Sequence, residues 1–440
     1  MGAAALAGSA WAGPLTFGAP TANRVVGGQG TFPRLVALSI AAEAPIRWIV
    51  SLPPRRLAAV DANGTLWILE IGQAELQVLG RYGEVASPDG PPAVAALGEG
   101  RKGIVLVAPD GRLLVWSDGV LRAFDVGSAL SHLTFPVPVS LEGKSWDDLL
   151  AVAADGALLL IGGLPSGPRV ISRVDARALP DARITLGSLD GSAGIIQAVL
   201  LSDGTARYRH GILGDKVEAS TVTVVSVAPN ALAIRHRYVL KAPAVVEDLV
   251  PVVAPVGEGR RPALVMVKSM TRLGSSVLAL GWREAGLEPL GEGPAFGLGN
   301  RWVHVIGAAD VTGDGIPVLV VVNTPHTAGV LVAYQRRAAA LVPLAKALGY
   351  ASHLLGSRNQ DQAVIADLSG NGRVEVILPR QSRDVLAAVE LSNGRWEERW
   401  ALQLSGPLQS NILVDDVDGD GLLDLVVADR RALHVFLSVR

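Results

Sequence analysis

A beat of roughly 45 residues restricts this chain more than any single motif. Asn63-Gly64, Asp110-Gly111, Asp155-Gly156 and Asp203-Gly204 follow one another at spacings of 47, 45 and 48 residues. Each pair sits between strand-like runs: RLAAVDANGTLWILE, IVLVAPDGRLLVW, LLAVAADGALLLI and AVLLSDGTARY. A two-residue hairpin turn needs positive φ at both central positions, which Asn-Gly and Asp-Gly adopt most readily. Gly98, Gly143 and Gly191 each stand 12 residues before the next such turn. One unit therefore reads as strand, Gly-rich or acidic loop, strand, tight turn, strand and outer strand.

Unit starts fall near residues 46, 93, 137, 184, 250, 303, 363 and 412. Repeats of this length with hairpins inside them predict an all-β β-propeller of eight four-stranded blades, or seven if unit one or unit five is irregular. The eighth unit stops at Arg440, just after its third strand, ALHVFLS. An N-terminal strand must close the ring or leave an exposed edge. FPRLVALSI, from Phe32 to Ile40, is the natural donor. The stretch 338–356 has room for a short helix that Pro343 would limit. Residues 24–440 form a single propeller domain on this reading. Apolar residues make up 49 % of the chain, in runs of four to seven such as IVLVA and LVVVN. Such runs suit strands covered on both faces. No apolar run reaches 18 residues, so no membrane span is expected.

The late units carry a second motif. DVDGDGLLDLVV begins at Asp416, DLSGNGRVEVIL at Asp367 and DVTGDGIPVLVV at Asp310. Calcium takes six to eight oxygens from carboxylates, hydroxyls, amides and carbonyls. A short loop can aim positions 1, 3 and 5 inward, add the carbonyl of position 7 and finish with a carboxylate at 9. Asp416, Asp418, Asp420, the carbonyl of Leu422 and Asp424 fill those positions in the last loop. Asp367, Ser369, Asn371, the carbonyl of Arg373 and Glu375 fill them with less charge. Asp310, Thr312 and Asp314 open the third loop, but Val318 stands at position 9. The EF-hand needs a Glu at position 12 and a following helix. Here the twelfth residues are Val427, Leu378 and Val321, within strand-like runs.

In these residues the chain resembles the FG-GAP/VCBS repeat family, also found in integrin α-subunit propellers, whose motif runs roughly D-x-[DNS]-G-[DN]-G-x-x-[DE]-[LV]. Residues 303–440 carry the resemblance best. It implies a propeller with structural calcium loops between the first and second strands of a blade. It implies no particular activity, since the family serves adhesion, carbohydrate binding, complex assembly and occasional lyase chemistry.

Several function classes drop out. There is no cysteine, which excludes disulfides, thiolate metal sites and cysteine nucleophiles. Net charge is −2 with the signs interspersed, so a nucleic-acid footprint is not expected. Gly98 to Gly103 matches GxGxxG, but a strand follows where a dinucleotide site needs a helix. The histidines at 132, 210, 236, 304, 326, 353 and 434 show no ligand spacing, and no pair of carboxylates stands out as acid and base. The basic–aromatic clusters Arg207–His210 and Arg235–Tyr238 read as solvated strand faces. Residues 1–23 carry no charge and read as a flexible tail or the remnant of a secretory signal. The expectation is an exported, periplasmic or extracellular monomer that binds a cell-envelope protein or a glycan. The alternative is a propeller enzyme of polysaccharide-lyase or quinoprotein type, with its site at the channel mouth.

Overall fold

The computed structural model describes residues 24–440, apart from 142, 165–166, 192–195, 285 and 299. Residues 1–23, with the signal-remnant reading, lie outside the described residues.

The described strands make eight four-stranded antiparallel blades, seven of them in chain order a-b-c-d. Their a strands are Ile46–Leu52, Ala93–Gly98, Val137–Val139, Thr185–Gly187, Val252–Ala254, Val303–Ala309, Val364–Asp367 and Leu413–Asp415. The expected unit starts match these within two residues. Most neighbouring a strands touch one another, and the a strand of blade 1 packs against both blade 2 and blade 8. Blade 8 takes its d strand from the N-terminus: Leu35–Ala41 pairs antiparallel with Ala432–Ser438, from Leu35 opposite Ser438 to Ala41 opposite Ala432. The donor begins three residues later than Phe32. Phe32 is instead buried with its ring 5.1 Å from that of Trp400.

The inner strands are apolar without alternation because neighbouring blades cover both faces. Val318–Asn323 is buried at every position, whereas the outer strand Ala231–Val239 is exposed or half-exposed throughout. The stretch 338–356 holds the d strand Ala340–Ala347, not a helix. Pro343 fits there because an outer strand need not donate every N–H, and the register shifts directly after it, at Leu344.

Three of the four Asn-Gly or Asp-Gly pairs form the b–c turn as expected. Their glycines have a second role. Gly156 (φ 83°) accepts the N–H of Ala178, 2.8 Å away, from the connection that leads to the next blade. A Cβ there would lie 2.8 Å from the Ala178 carbonyl oxygen. Gly64 and Gly111 accept from Ala86 and Leu130 in the same way, and Gly329 of blade 6 accepts from Tyr350. The fourth pair differs. Asp203-Gly204 lies inside the long b strand Ile196–Thr205, where Asp203 has positive φ (57°) while the register runs on unbroken, Ser202 opposite Thr221 and Gly204 opposite Ala219. The b–c connection of blade 4 is the longer segment 206–217, so Arg207–His210 is loop and not strand.

One element was not expected. Val25–Gln29 runs parallel to the a strand of blade 7, with Val25 opposite Ile365 and Gln29 opposite Asp367. The chain passes from there along the a–b end of blades 7 and 8 before it becomes the outer strand of blade 8.

Candidate functional site

Antiparallel alternation puts every a–b loop at one end of the ring, and every b–c turn and d–a connection at the other. The acidic loops are a–b loops. In blade 8 the carboxylates of Asp416, Asp418 and Asp420 bring oxygens within 4.8 Å of one another. Backbone donors shape them: Asp416 accepts from Gly419 (2.8 Å), Asp420 (3.0 Å) and Gly421 (3.0 Å), and Asp420 accepts from the N–H of Leu422 (2.8 Å). Asp424 is not part of the cluster. It is fully buried, and its two oxygens accept from Val417 (3.0 Å) and Ser438 (2.9 Å). Burial pushes its carboxyl up to about 7, helped by Asp418 and Asp420. The guanidinium of Arg55, from blade 1, lies 3.5 Å from the Asp418 carboxylate.

The blade 7 loop is organised differently. Asp367 accepts from Asn371 (3.1 Å), Gly372 (2.8 Å) and the Gln29 side chain (2.9 Å). Asn371 accepts from the N–H of Arg373 at 2.8 Å. Glu375 is fully buried and neither of its oxygens has a hydrogen-bond partner; the Ser369 hydroxyl and Trp400 Nε1 are likewise unpartnered. Ser369 and Trp400 face the Glu375 carboxylate without closing a bond of ordinary geometry, and burial pushes that carboxyl up. Unpartnered oxygens under a loop of oxygen donors are what a hard cation would satisfy.

The blade 6 loop is self-contained. Asp310 accepts from Gly313, Asp314, Gly315 and the Thr312 hydroxyl, while Asp314 accepts from Thr312 and Ile316. Val318 is fully buried as the first residue of strand b.

The opposite end holds residues that spacing alone did not connect. His210 (b–c, blade 4), His304 (start of strand a, blade 6), His326 (b–c, blade 6) and His353 (connection from blade 6 to 7) gather near buried Trp302. That indole stacks on His304 and His326, with centroids 5.3 and 6.0 Å away, and meets His353 edge-on at 4.9 Å. His353 donates through Nε2 to the Ser357 carbonyl (2.8 Å), which leaves Nδ1 to accept from His326 Nε2 (2.9 Å). Burial lowers both rings, His326 to about 4 and His353 to about 3, and holds His304 well below its ordinary value. His304 bonds Ser352 through Nδ1 (2.8 Å), and its Nε2 has no partner. His210 Nδ1 lies 2.5 Å from Glu247, a fully buried carboxylate that also accepts from Ser269 at 2.5 Å.

The connection 348–363 spans this mouth. Asp361 binds Arg24 and Arg183, at 2.8 and 2.7 Å. Arg358 bridges Asp181 and Asp215, each at 3.2 Å. Gln360 donates to Asp248 (2.8 Å) and Asn359 to the Arg47 carbonyl (3.2 Å). One segment thus reaches side chains or backbone of blades 1, 4, 5 and 6. The signal available in the sequence was positional: each histidine falls at the b–c or d–a end of its unit. Only the ring closes the distance between them.

No family model and no curated protein matches the chain. Solved structures do. The chain is similar to Sqt1 of Saccharomyces cerevisiae, with a TM-score of 0.51 at 9 % identity, over 95 % of this chain and 99 % of that one. It is similar to the Dos1 propeller with a TM-score of 0.50 at 11 % identity, over 94 % of each chain. The fold is a β-propeller. Likeness at such identity extends to the fold alone. No helix among the described residues is long and apolar enough to cross a membrane.

Proposed function

We propose that this chain is a calcium-stabilised propeller of the FG-GAP/VCBS kind, a single domain over residues 24–440 that serves as a monomeric binding scaffold outside the cytoplasm. Its ligand is a cell-envelope protein or a glycan. The observation that carries the reading is the convergence of Asp416, Asp418 and Asp420 within 4.8 Å, on a loop that two glycines at positive φ, Gly419 and Gly421, and backbone donors hold in shape. The orphaned oxygens of Glu375 and Ser369 support a second site in the blade 7 loop. The saturated Asp310 loop is the weakest of the three. Calcium is plentiful outside cells, which is why the cation reading favours an exported home, periplasmic or extracellular.

At a hundred times its dissociation constant one calcium adds about 2.7 kcal/mol of stability. A thermal melt in calcium, magnesium or EDTA tests this. Calcium alone should raise the midpoint, and Asp420→Ala should remove most of that rise while leaving the EDTA melt nearly unchanged. Equal loss with and without the ion would reduce the loop to a turn.

A second reading is a propeller enzyme acting at the b–c end. The His210–Glu247 pair favours it, because a buried carboxylate on Nδ1 orients an imidazole for general-base work at Nε2. Incubation with anionic polysaccharides, followed by ultraviolet absorbance of unsaturated products, tests the lyase form. Loss of product in His210→Ala at unchanged stability would support it.

A further inference from the structure

Exposed large apolar side chains are unevenly distributed over this propeller. Half of the twelve lie on outer strands, as Val36, Val78 and Ile234 do. Five lie on b–c turns or d–a connections, and all five belong to one sector, blades 4 to 6 and the connection leaving blade 6: Val217, Leu273, Leu298, Leu348 and Leu355. Blades 1 to 3 and 8 place none at that end among the described residues. Leu348 and Leu298 are the most exposed of all, at 73 and 69 %, and Leu355 follows at 65 %, level with Val239.

The segments that carry them are stitched together. Gly356 donates to the Ile212 carbonyl at 2.9 Å, which joins the Leu355 segment to the 206–217 loop that ends at Val217. Gly297 donates to the Leu273 carbonyl at 3.0 Å, so Leu298 stands beside Leu273. Gly349 donates to the Gly329 carbonyl at 3.0 Å, and Trp302 packs on His353, which ties the remaining connections to the same platform.

Charge on these connections is one-sided. Arg207, Arg209, Lys216, Lys241, Arg272 and Arg301 are exposed. Among the described residues none of the six lies within ion-pair distance of a carboxylate. The carboxylates of the same connections are spent: Glu247, Asp248 and Asp361 are buried, and Asp215 is paired with Arg358. The a–b end of blades 6 to 8 is acidic by contrast.

We propose that the b–c end of blades 4 to 6 docks on an anionic lipid surface, with the leucines entering the interfacial layer and the arginines and lysines lying among the headgroups. Leucine combined with arginine and lysine on one face is the composition of interfacial membrane binding, and each basic residue near an anionic bilayer adds to the attraction. Protein docking sites are instead anchored by exposed aromatic residues. Of the aromatics on these connections, Tyr208, Trp302 and Tyr350 are buried and Phe296 is half-buried. Leucines that stand out on separate loop tips also need a deformable partner more than a matched pocket. The proposal is independent of the calcium reading.

Flotation of the full chain with vesicles tests it. The chain should float with vesicles of phosphatidylcholine containing phosphatidylglycerol and stay behind with phosphatidylcholine alone. Binding should fall about tenfold or more when salt rises from about 0.1 M to about 0.5 M. Leu348→Ser with Leu355→Ser, both far exposed and expected to leave the melting point unchanged, should weaken binding about tenfold. Ile316→Ser, at the opposite end, should not. Leu355→Trp provides a direct readout, a blue shift of its emission on adding anionic vesicles. Failure to float with anionic vesicles would overturn the proposal and leave the face to an acidic protein segment. Retained binding in the double leucine variant, or binding without a blue shift, would overturn it too.

Discussion

Arg24 and Asp361 are 337 residues apart in the chain and 2.8 Å apart at the channel mouth, Nε to Oδ1. Both side chains are buried, and Arg183 takes the other carboxylate oxygen at 2.7 Å. Burial would raise the Asp361 carboxyl, but Arg183 and Arg24 outweigh it and hold the group below its ordinary value. Asp361→Asn would take from two buried guanidinium groups the carboxylate they share. The expected loss is about 3–5 kcal/mol in urea denaturation. A loss under about 1 kcal/mol would show that water reaches the mouth and screens the pair.

The glycines of the b–c turns should tolerate nothing larger. Gly156→Ala places a methyl group at positive φ and against the Ala178 carbonyl. The expected cost is about 2–4 kcal/mol, the sum of backbone strain and overpacking. Asp155→Ala next to it removes an exposed pair with Arg173 and one bond from the Ala157 N–H, and should cost about 1 kcal/mol. Equal costs for the two would mean that the turn, not the docking of the next connection, sets the requirement.

Glu218 predicts an alkaline limb to the stability curve. Burial raises its carboxyl to about 10, and the charges of Glu247, Asp215, Asp181 and Asp248 add to that. The folded state therefore keeps the proton that the unfolded chain releases near 4.5. This contribution is complete below about pH 4.5 and is lost as pH rises toward 10. Glu218→Gln should raise the melting point at pH 8, by roughly 1–3 kcal/mol of stability, and change little at pH 4. A variant less stable than the parent at pH 8 would mean that the carboxylate is paired there.

The histidines predict the opposite slope on the acid side. With His326 near 4 and His353 near 3, the unfolded chain binds protons that the folded state refuses. Their contribution is full above pH 6.5 and is lost as pH falls toward 4. Replacing both by Gln should flatten urea midpoints between pH 6.5 and 4, by on the order of 2 kcal/mol. An unchanged slope would assign the acid limb to carboxylates such as Asp361.

The blade count, the unit boundaries and the source of the closing strand could all be read from the residues. Apolar runs such as LVVVN report burial on both faces, and Asp155-Gly156 reports a turn at positive φ; both are local demands that a residue type either meets or fails. The reading failed at Asp203-Gly204, because the dipeptide that makes a turn can also sit inside a longer strand, and only the pairing of Gly204 with Ala219 distinguishes them. At Asp424 the spacing suits a ligand, while its two oxygens accept from the N–H groups of Val417 and Ser438.

By itself, then, the sequence determined which segments become strands, where each blade begins and which loops carry oxygen donors, since these depend on neighbours a few residues away. The tertiary structure alone decided that Arg24 would meet Asp361, that histidines from blades 4 and 6 and the connection to blade 7 would share one mouth, and that five exposed side chains would stand on one face. Ring closure sets those distances: it brings residues hundreds of positions apart into contact, and no local pattern encodes which connections will face each other across the channel.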